Sequence, residues 1–150
     1  MTDLGIDFAQ KVLDEQAFSR LLGARITAFA DGAATLEVDI RDDLRQQYGY
    51  AHGGLLAYAA DNALTFAAGT VLGPAIITGG FSVQYLRPAR DGTLRAEAYV
   101  VHAGRRQAVC RCDVYVVGGT AGADGESGGA AELCAVAQGT VLTAPQRAGT

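Results

Sequence analysis

The chain has no basic block. Lys and Arg number 12 against 16 Asp and Glu, for a net charge of −4. That balance argues against nucleic acid as a main partner, although it is mild enough for a local basic patch to hold an anionic ligand. A secretory leader is also missing, because MTDLGIDFAQ carries acids where Lys or Arg would stand. Cysteine is scarce and odd in number, at 3 (Cys110, Cys112 and Cys134), with no C-x-x-C. Without an export signal these read as reduced thiols in a cytoplasmic protein. Cys110 and Cys112, two apart in an expected strand, share a face and read as small buried hydrophobes. The 2 histidines are far apart and no metal-ligand spacing occurs, so neither a metal nor a redox cofactor is expected.

What is present suits a globular chain. Hydrophobic residues make up 49% and charged residues 19% of the 150. That is enough material for one domain over 1–150 with a sizeable core. The apolar run Leu55–Leu72 has the length of a membrane span, but Asp61 and Asn62 sit at its centre, where charge is costly in lipid. A core helix is the expected form, and no membrane partner is expected.

Residues 1–22 form an N-terminal region. Within it Phe8, Val12, Phe18, Leu21 and Leu22 space out an amphipathic helix from Asp7, ended by Gly23. Strands are expected at Ala24–Ala30 and Ala33–Ile40, joined by Asp31-Gly32, a strong hairpin signal. Arg41–Tyr50 reads as a loop. A long Ala-rich helix then runs from about His52 to Val71, apolar almost all round and so enclosed on most sides. The remainder reads as a meander of strands at Ile76–Leu86, Thr93–Ala103, Gln107–Val117 and Glu132–Leu142. Residues 118–131 read as a flexible Gly-rich loop and 144–150 as a tail. The fold class is α+β: a curved antiparallel sheet of five to six strands wrapped around a long central helix.

Asp61 raises the functional question, since an ionised carboxylate in an apolar helix needs a reason to be there. The start of the same helix supplies a complementary group. His52-Gly53-Gly54 opens it, the first N–H groups of a helix lack internal partners, and the helix dipole adds roughly half a positive charge. Glycine at 53 and 54 lets a ligand approach the backbone, as a site for a carbonyl oxygen gaining negative charge requires. Asp61 lies nine residues after His52, roughly 13 Å along the axis. One chain cannot easily join the two groups. An antiparallel helix from a second subunit can, so the spacing predicts a two-fold dimer with sites at the interface.

The segments AHGGLLAYAADNA, TGGFSVQYLRPARDG and HAGRRQAVCRCDVYV, in that order, resemble the hotdog-fold thioesterases. The particular likeness is to the PaaI-like (phenylacetic acid degradation) group of acyl-CoA thioesterases, and it runs from about Gly23 to Leu142. The resemblance implies hydrolysis of an acyl-CoA thioester, with coenzyme A part of the substrate rather than a cofactor. It implies Gly53 as backbone donor to the thioester carbonyl and Asp61, from the partner subunit, as nucleophile or as base on water. Gln46 falls where relatives carry Asn or Gln contacting the carbonyl or the water. Thr78 falls where Ser or Thr helps hold the water, and His52 orders the loop and contacts the thioester region. Gly79-Gly80 replaces the bulkier residues common in relatives, which implies a looser pocket wall. Gly54, Tyr58, Phe81, Phe66 and Leu56 are candidate substrate contacts. Arg87, Arg90, Arg105 and Arg106, near strand ends, suit the nucleotide part of coenzyme A because the guanidinium fork matches phosphate. The resemblance also implies a homodimer, and a dimer of dimers is common among relatives. Two other readings stand beside hydrolysis: a hotdog hydratase or dehydratase, and a non-catalytic acyl-CoA sensor.

Overall fold

In the computed structural model the described residues are 5–118 and 130–145. Most of the expected Gly-rich loop, residues 119–129, and the end of the tail, 146–150, lie outside them.

The chain forms helices α1 (Ile6–Asp14), α2 (Ala17–Leu22) and α3 (Gly53–Leu72). Its strands are β1 (Arg25–Ala30), β2 (Ala33–Asp39), β3 (Ile76–Tyr85), β4 (Thr93–Ala103), β5 (Gln107–Val117) and β6 (Glu132–Thr143). The N-terminal helix is therefore two. Gln16, at φ −85° and ψ 110°, leaves the helical region and breaks the run. Its side chain accepts a hydrogen bond from Ser19 and another from Asn62 on α3. The polar residues that an amphipathic pattern assigns to water here fasten one helix to another.

At the first hairpin Asp31 (φ 51°) and Gly32 (φ 81°) both take positive φ, the conformation a two-residue turn needs to match strand twist. In β2 the side chains of Ala34, Leu36 and Val38 are buried, alternating with the wetter Thr35, Glu37 and Asp39. In β5, Cys110 and Cys112 are buried on one face with Val114. Burial pushes the Cys110 thiol up to about 11 and Cys112 higher still, so both behave as small apolar side chains.

All six strands join one antiparallel sheet in the order β1-β2-β4-β5-β6-β3. The expected meander is correct for β4, β5 and β6 and wrong for β3. Helix α3 crosses the inner face and sets the chain down at the far edge, so β3 pairs with β6 while β4 pairs with β2. The segment 86–92 then runs back across the end of the sheet. On the way the Leu86 N–H donates to the Cys134 carbonyl, the Ala51 N–H to the Ala89 carbonyl and the Ile40 N–H to the Gly92 carbonyl. This crossing lays Leu86–Ala89 beside the start of α3.

Helix α3 is long and apolar enough, by length and composition, to cross a membrane. Here it is the core helix. Leu55, Leu56, Ala59, Ala60, Ala63, Leu64, Ala67 and Ala68 are buried against the sheet. Alanine on so much of the helix lets the strands approach closely. Between its two ends the residues left partly accessible are Ala57, Tyr58, Asp61, Asn62, Thr65 and Gly69, a stripe at helical spacing.

Strand β3 carries a bulge. Thr78 pairs with Val141 and Gly80 with Thr140, leaving Gly79 extra. The bulge resets the alternation, so that Thr78, Phe81 and Val83 are all the less exposed members of the strand. A Cβ on Gly79 would sit 3.2 Å from the Leu142 side chain and 3.3 Å from the Thr140 carbonyl. Glycine at this position therefore serves the bulge rather than a loose wall.

Candidate active site

Two polar centres occupy α3, each facing β3. At the first, Thr78 donates to Asp61 Oδ1 at 2.7 Å. Thr65 Oγ1 lies 2.8 Å from Thr78 Oγ1 and 2.9 Å from the Asp61 carbonyl oxygen, to which it donates. The structure thus joins Asp61 to Thr78, for which the resemblance implied a hold on the water, and adds Thr65, which the sequence analysis did not single out. The spacing signal was available: Thr65 is one helical turn after Asp61, on the same face.

The second centre is the helix start. His52 caps α3 with its ring, Nδ1 accepting the Gly54 N–H at 2.8 Å. The ring proton therefore sits on Nε2 of this exposed imidazole. A Cβ on Gly54 would lie 3.0 Å from that Nδ1, so glycine there serves the cap. This corrects the expectation for Gly54, whose N–H is committed to His52 and is not open to a ligand. The Leu55 N–H goes to the His52 carbonyl. The Gly53 N–H meets no acceptor among the described residues, which leaves it as the donor that the helix start offers.

Tyr85, at the end of β3, donates its hydroxyl to the Gly53 carbonyl at 2.9 Å, and a Cβ on Gly53 would come within 3.3 Å of the Tyr85 ring and hydroxyl. The sequence analysis did not single this residue out as a site member. Gln46 stands on the loop before α3. Its Oε1 accepts from the Tyr48 and Tyr50 N–H groups, while its Nε2 donates to no described residue. A cavity of about 320 Å³ opens here, lined by Gln46, Tyr50, Gly53, Leu56, Tyr85 and Arg87 among others.

Within one chain the two centres stay apart. Asp61 and Gly53 are eight residues apart on one helix, roughly 12 Å along its axis, and each faces a different part of β3.

The four arginines do not form one cluster in a single chain. Arg87 is paired with Glu132, and the Arg90 guanidinium lies 4.9 Å from the Tyr50 ring centroid, both on the Gly53 side. Arg105 and Arg106 lie at the other end of the sheet. The Arg106 carbonyl accepts the Thr143 N–H at 2.9 Å, and Thr143 pairs with Ile76, two residues from Thr78. The ends are separated by the strand from Ala135, opposite Tyr85, to Leu142, opposite Ile77, roughly 23 Å of extended chain.

The candidate wall residues also separate. Phe66 is buried edge-on to Phe29, with ring centroids 6.3 Å apart, so it belongs to the core. Leu56 borders the cavity, Phe81 is half-buried on β3, and Tyr58 turns toward α2. There the Tyr58 hydroxyl donates to Ser19 Oγ at 2.6 Å and accepts from Asn62 Nδ2 at 3.1 Å. Burial, with a smaller contribution from the Asp61 charge, holds that hydroxyl above the usual phenol range.

Residues 48–123 match the family model of the thioesterase superfamily. An acyl-coenzyme A thioesterase, PaaI of Escherichia coli, is 28% identical over 102 residues, 67% of this chain and 72% of that protein. A 1,4-dihydroxy-2-naphthoyl-CoA hydrolase of Listeria monocytogenes is 26% identical over 86 residues, 56% of this chain and 70% of its own. Among solved structures, a thioesterase family protein from Silicibacter pomeroyi superposes with a TM-score of 0.77 at 29% identity, covering 91% of this chain and 97% of that one. The sheet curved around α3 is the hotdog fold, and the chain, a PaaI-like thioester hydrolase, belongs to the thioesterase superfamily.

Proposed function

We propose that the protein hydrolyses acyl-coenzyme A thioesters to a carboxylic acid and free coenzyme A, working as a homodimer in the cytoplasm. One observation carries this reading: a free helix-start amide at Gly53 and a hydroxyl-held carboxylate at Asp61 lie on one helix, too far apart to act on one bond. A second subunit solves the distance. Strand β3 is a sheet edge, with Ile77 and Tyr85 exposed on it. An antiparallel pairing of two β3 strands centred near Phe81 and Ser82 sets Thr78 of one chain across from Tyr85 of the other. The partner's Asp61 then faces Gly53. The same rotation carries the partner's Arg105 and Arg106 to the side of Arg87 and Arg90, so that guanidinium groups from both chains face the phosphates of coenzyme A.

In this site the Gly53 N–H, at the positive end of the helix dipole, polarises the thioester carbonyl. Gln46 Nε2 is placed to donate to the same oxygen or to the water. His52 keeps the Gly54 amide occupied, so that the donor is fixed. The partner's Asp61 either attacks the carbonyl carbon or takes a proton from a water that does so. In both routes the carbon–sulfur bond breaks and the thiolate of coenzyme A leaves and is protonated; in the first, water then cleaves the acyl–Asp61 anhydride, releasing the carboxylic acid and freeing Asp61, and in the second the oxygen of the attacking water stays on the acyl carbon. Thr78 holds the carboxylate in place. The two relatives above are named for reactions on coenzyme A esters, which supports that substrate class.

Free thiol release from a panel of acyl-CoAs tests the reading, with Asp61→Asn as control. The variant should lose roughly a hundredfold or more in kcat while keeping its melting temperature. Near-parent turnover would remove Asp61 from the chemistry, and a monomeric mass in light scattering would remove the shared site.

A further inference from the structure

Helix α2 leaves two large apolar side chains in the open. Phe18 is 59% and Leu21 67% exposed, on one face at i and i+3. Neither contributes to the core. Yet α2 is hydrogen-bonded to α3. Ser19, 1% exposed, is the buried polar residue among the described ones. It donates to Gln16 Oε1 at 2.6 Å and accepts from the Tyr58 hydroxyl at 2.6 Å and from Asn62 Nδ2 at 3.2 Å. Asn62 also donates to Gln16 Oε1 at 3.0 Å. The network closes on itself around the buried Ser19, the arrangement that favours one geometry over several. It ties α2 to the residues on α3 that flank Asp61.

The result is an aromatic wall beside the carboxylate. The Phe18 ring meets the Tyr58 ring edge-on, with centroids 5.5 Å apart and planes at 72°. Tyr58 precedes Asp61 by three residues, so the two share a helix face at roughly 5–6 Å between Cβ atoms. In the other direction along α3 the first neighbours of Asp61 are the hydroxyls of Thr65 and Thr78, which suit water rather than hydrocarbon. On the other side of Asp61 along α3, the rings of Tyr58 and Phe18 offer apolar surface.

We infer that Phe18, with Tyr58 behind it and Leu21 beside it, forms the distal wall of the acyl site and sets its preference. The enzyme selects thioesters whose acyl group is apolar and long or broad enough to reach α2 from Asp61, such as a six-carbon chain or an arylacetyl group, over acetyl. This inference rests on the thioesterase reading above. It adds that the N-terminal helix pair, outside the sheet and outside the family-matched segment 48–123, decides which thioester is taken. The polar network makes the wall firm, so that acyl contact costs little ordering.

Steady-state kinetics of Phe18→Ala and Leu21→Ala against acetyl-, hexanoyl- and phenylacetyl-CoA test it, with the melting temperature and light-scattering mass of each variant. Phe18→Ala should lower kcat/KM roughly tenfold for hexanoyl- and phenylacetyl-CoA and leave acetyl-CoA within about twofold, with mass unchanged. Tyr58→Phe, which loosens the network but keeps the ring, should retain the preference better than Phe18→Ala. An equal effect on all three thioesters overturns the inference while leaving the thioesterase reading intact. So does a change of mass, which would make the patch a subunit contact. A parent protein that releases thiol from none of a full acyl-CoA panel overturns both.

Discussion

The hydroxyl of Tyr85 donates to the carbonyl of Gly53 across 32 residues of sequence, at 2.9 Å. This contact ties the end of an edge strand to the first residue of the central helix. It fixes the peptide group next to the one that supplies the free N–H. A side chain at this position would crowd the Tyr85 ring and hydroxyl, 3.3 Å from where its Cβ would sit.

Tyr85→Phe keeps the ring and removes the donor. A neutral hydrogen bond of this kind contributes about 1 kcal/mol, or roughly fivefold if expressed in the transition state. The expected result is a severalfold loss of kcat with little change in KM or melting temperature. An unchanged kcat would show that the clamp does not orient the amide.

The hydroxyl pair near Asp61 should separate by charge. Thr78 donates to a carboxylate, and Thr65 to a backbone carbonyl. Hydrogen bonds to charged groups contribute more, about 1.5–3 kcal/mol against about 1 for neutral ones. Thr78→Val should therefore lower kcat by roughly ten- to a hundredfold, and Thr65→Val by severalfold at most. Initial rates at saturating thioester distinguish them, and a larger loss for Thr65→Val would reverse the assigned roles.

How much of this was legible in the sequence depends on how locally each feature is encoded. The Asp31-Gly32 hairpin was readable because its two positive φ values are a property of two adjacent residues. Asp61 stood out because a carboxylate in an alanine-rich helix is an anomaly within a single turn. Strand β3 was misplaced because alternation in one strand says nothing about which neighbour it pairs with; that choice belongs to the path of α3. The Gln16–Ser19–Tyr58–Asn62 network was invisible for a related reason. Polar residues on a short amphipathic helix look solvated until another helix is laid over them.

Arginines from opposite ends of the sheet should act on the same part of the substrate. Arg87→Ala and Arg106→Ala are each expected to raise KM for an acyl-CoA severalfold. KM for a short thioester lacking the nucleotide should stay within about twofold, because a single phosphate contact is all that is removed. Parallel effects on both substrates would place these side chains outside the nucleotide groove.

Gly139 faces Phe81 across the β3–β6 pair. A Cβ there would lie 2.6 Å from Phe81 Cβ and 2.7 Å from the Gly80 carbonyl. Gly139→Ala should therefore cost about 1–3 kcal/mol of stability by overpacking, measured by urea unfolding. A wild-type midpoint in this variant would mean that β3 moves freely against β6.

The single surplus residue at Gly79 also sets how this chain can change in length. With Gly79 removed, Gly80 would follow Thr78 directly and keep its place opposite Thr140, so Thr78, Phe81, Val83 and Tyr85 would stay on the helix side in a strand of plain alternation. Descendants of this sequence can therefore shed that one residue and keep both hydroxyls under the helix, whereas loss of Ser82 would turn Tyr85 outward unless the bulge were taken up to compensate.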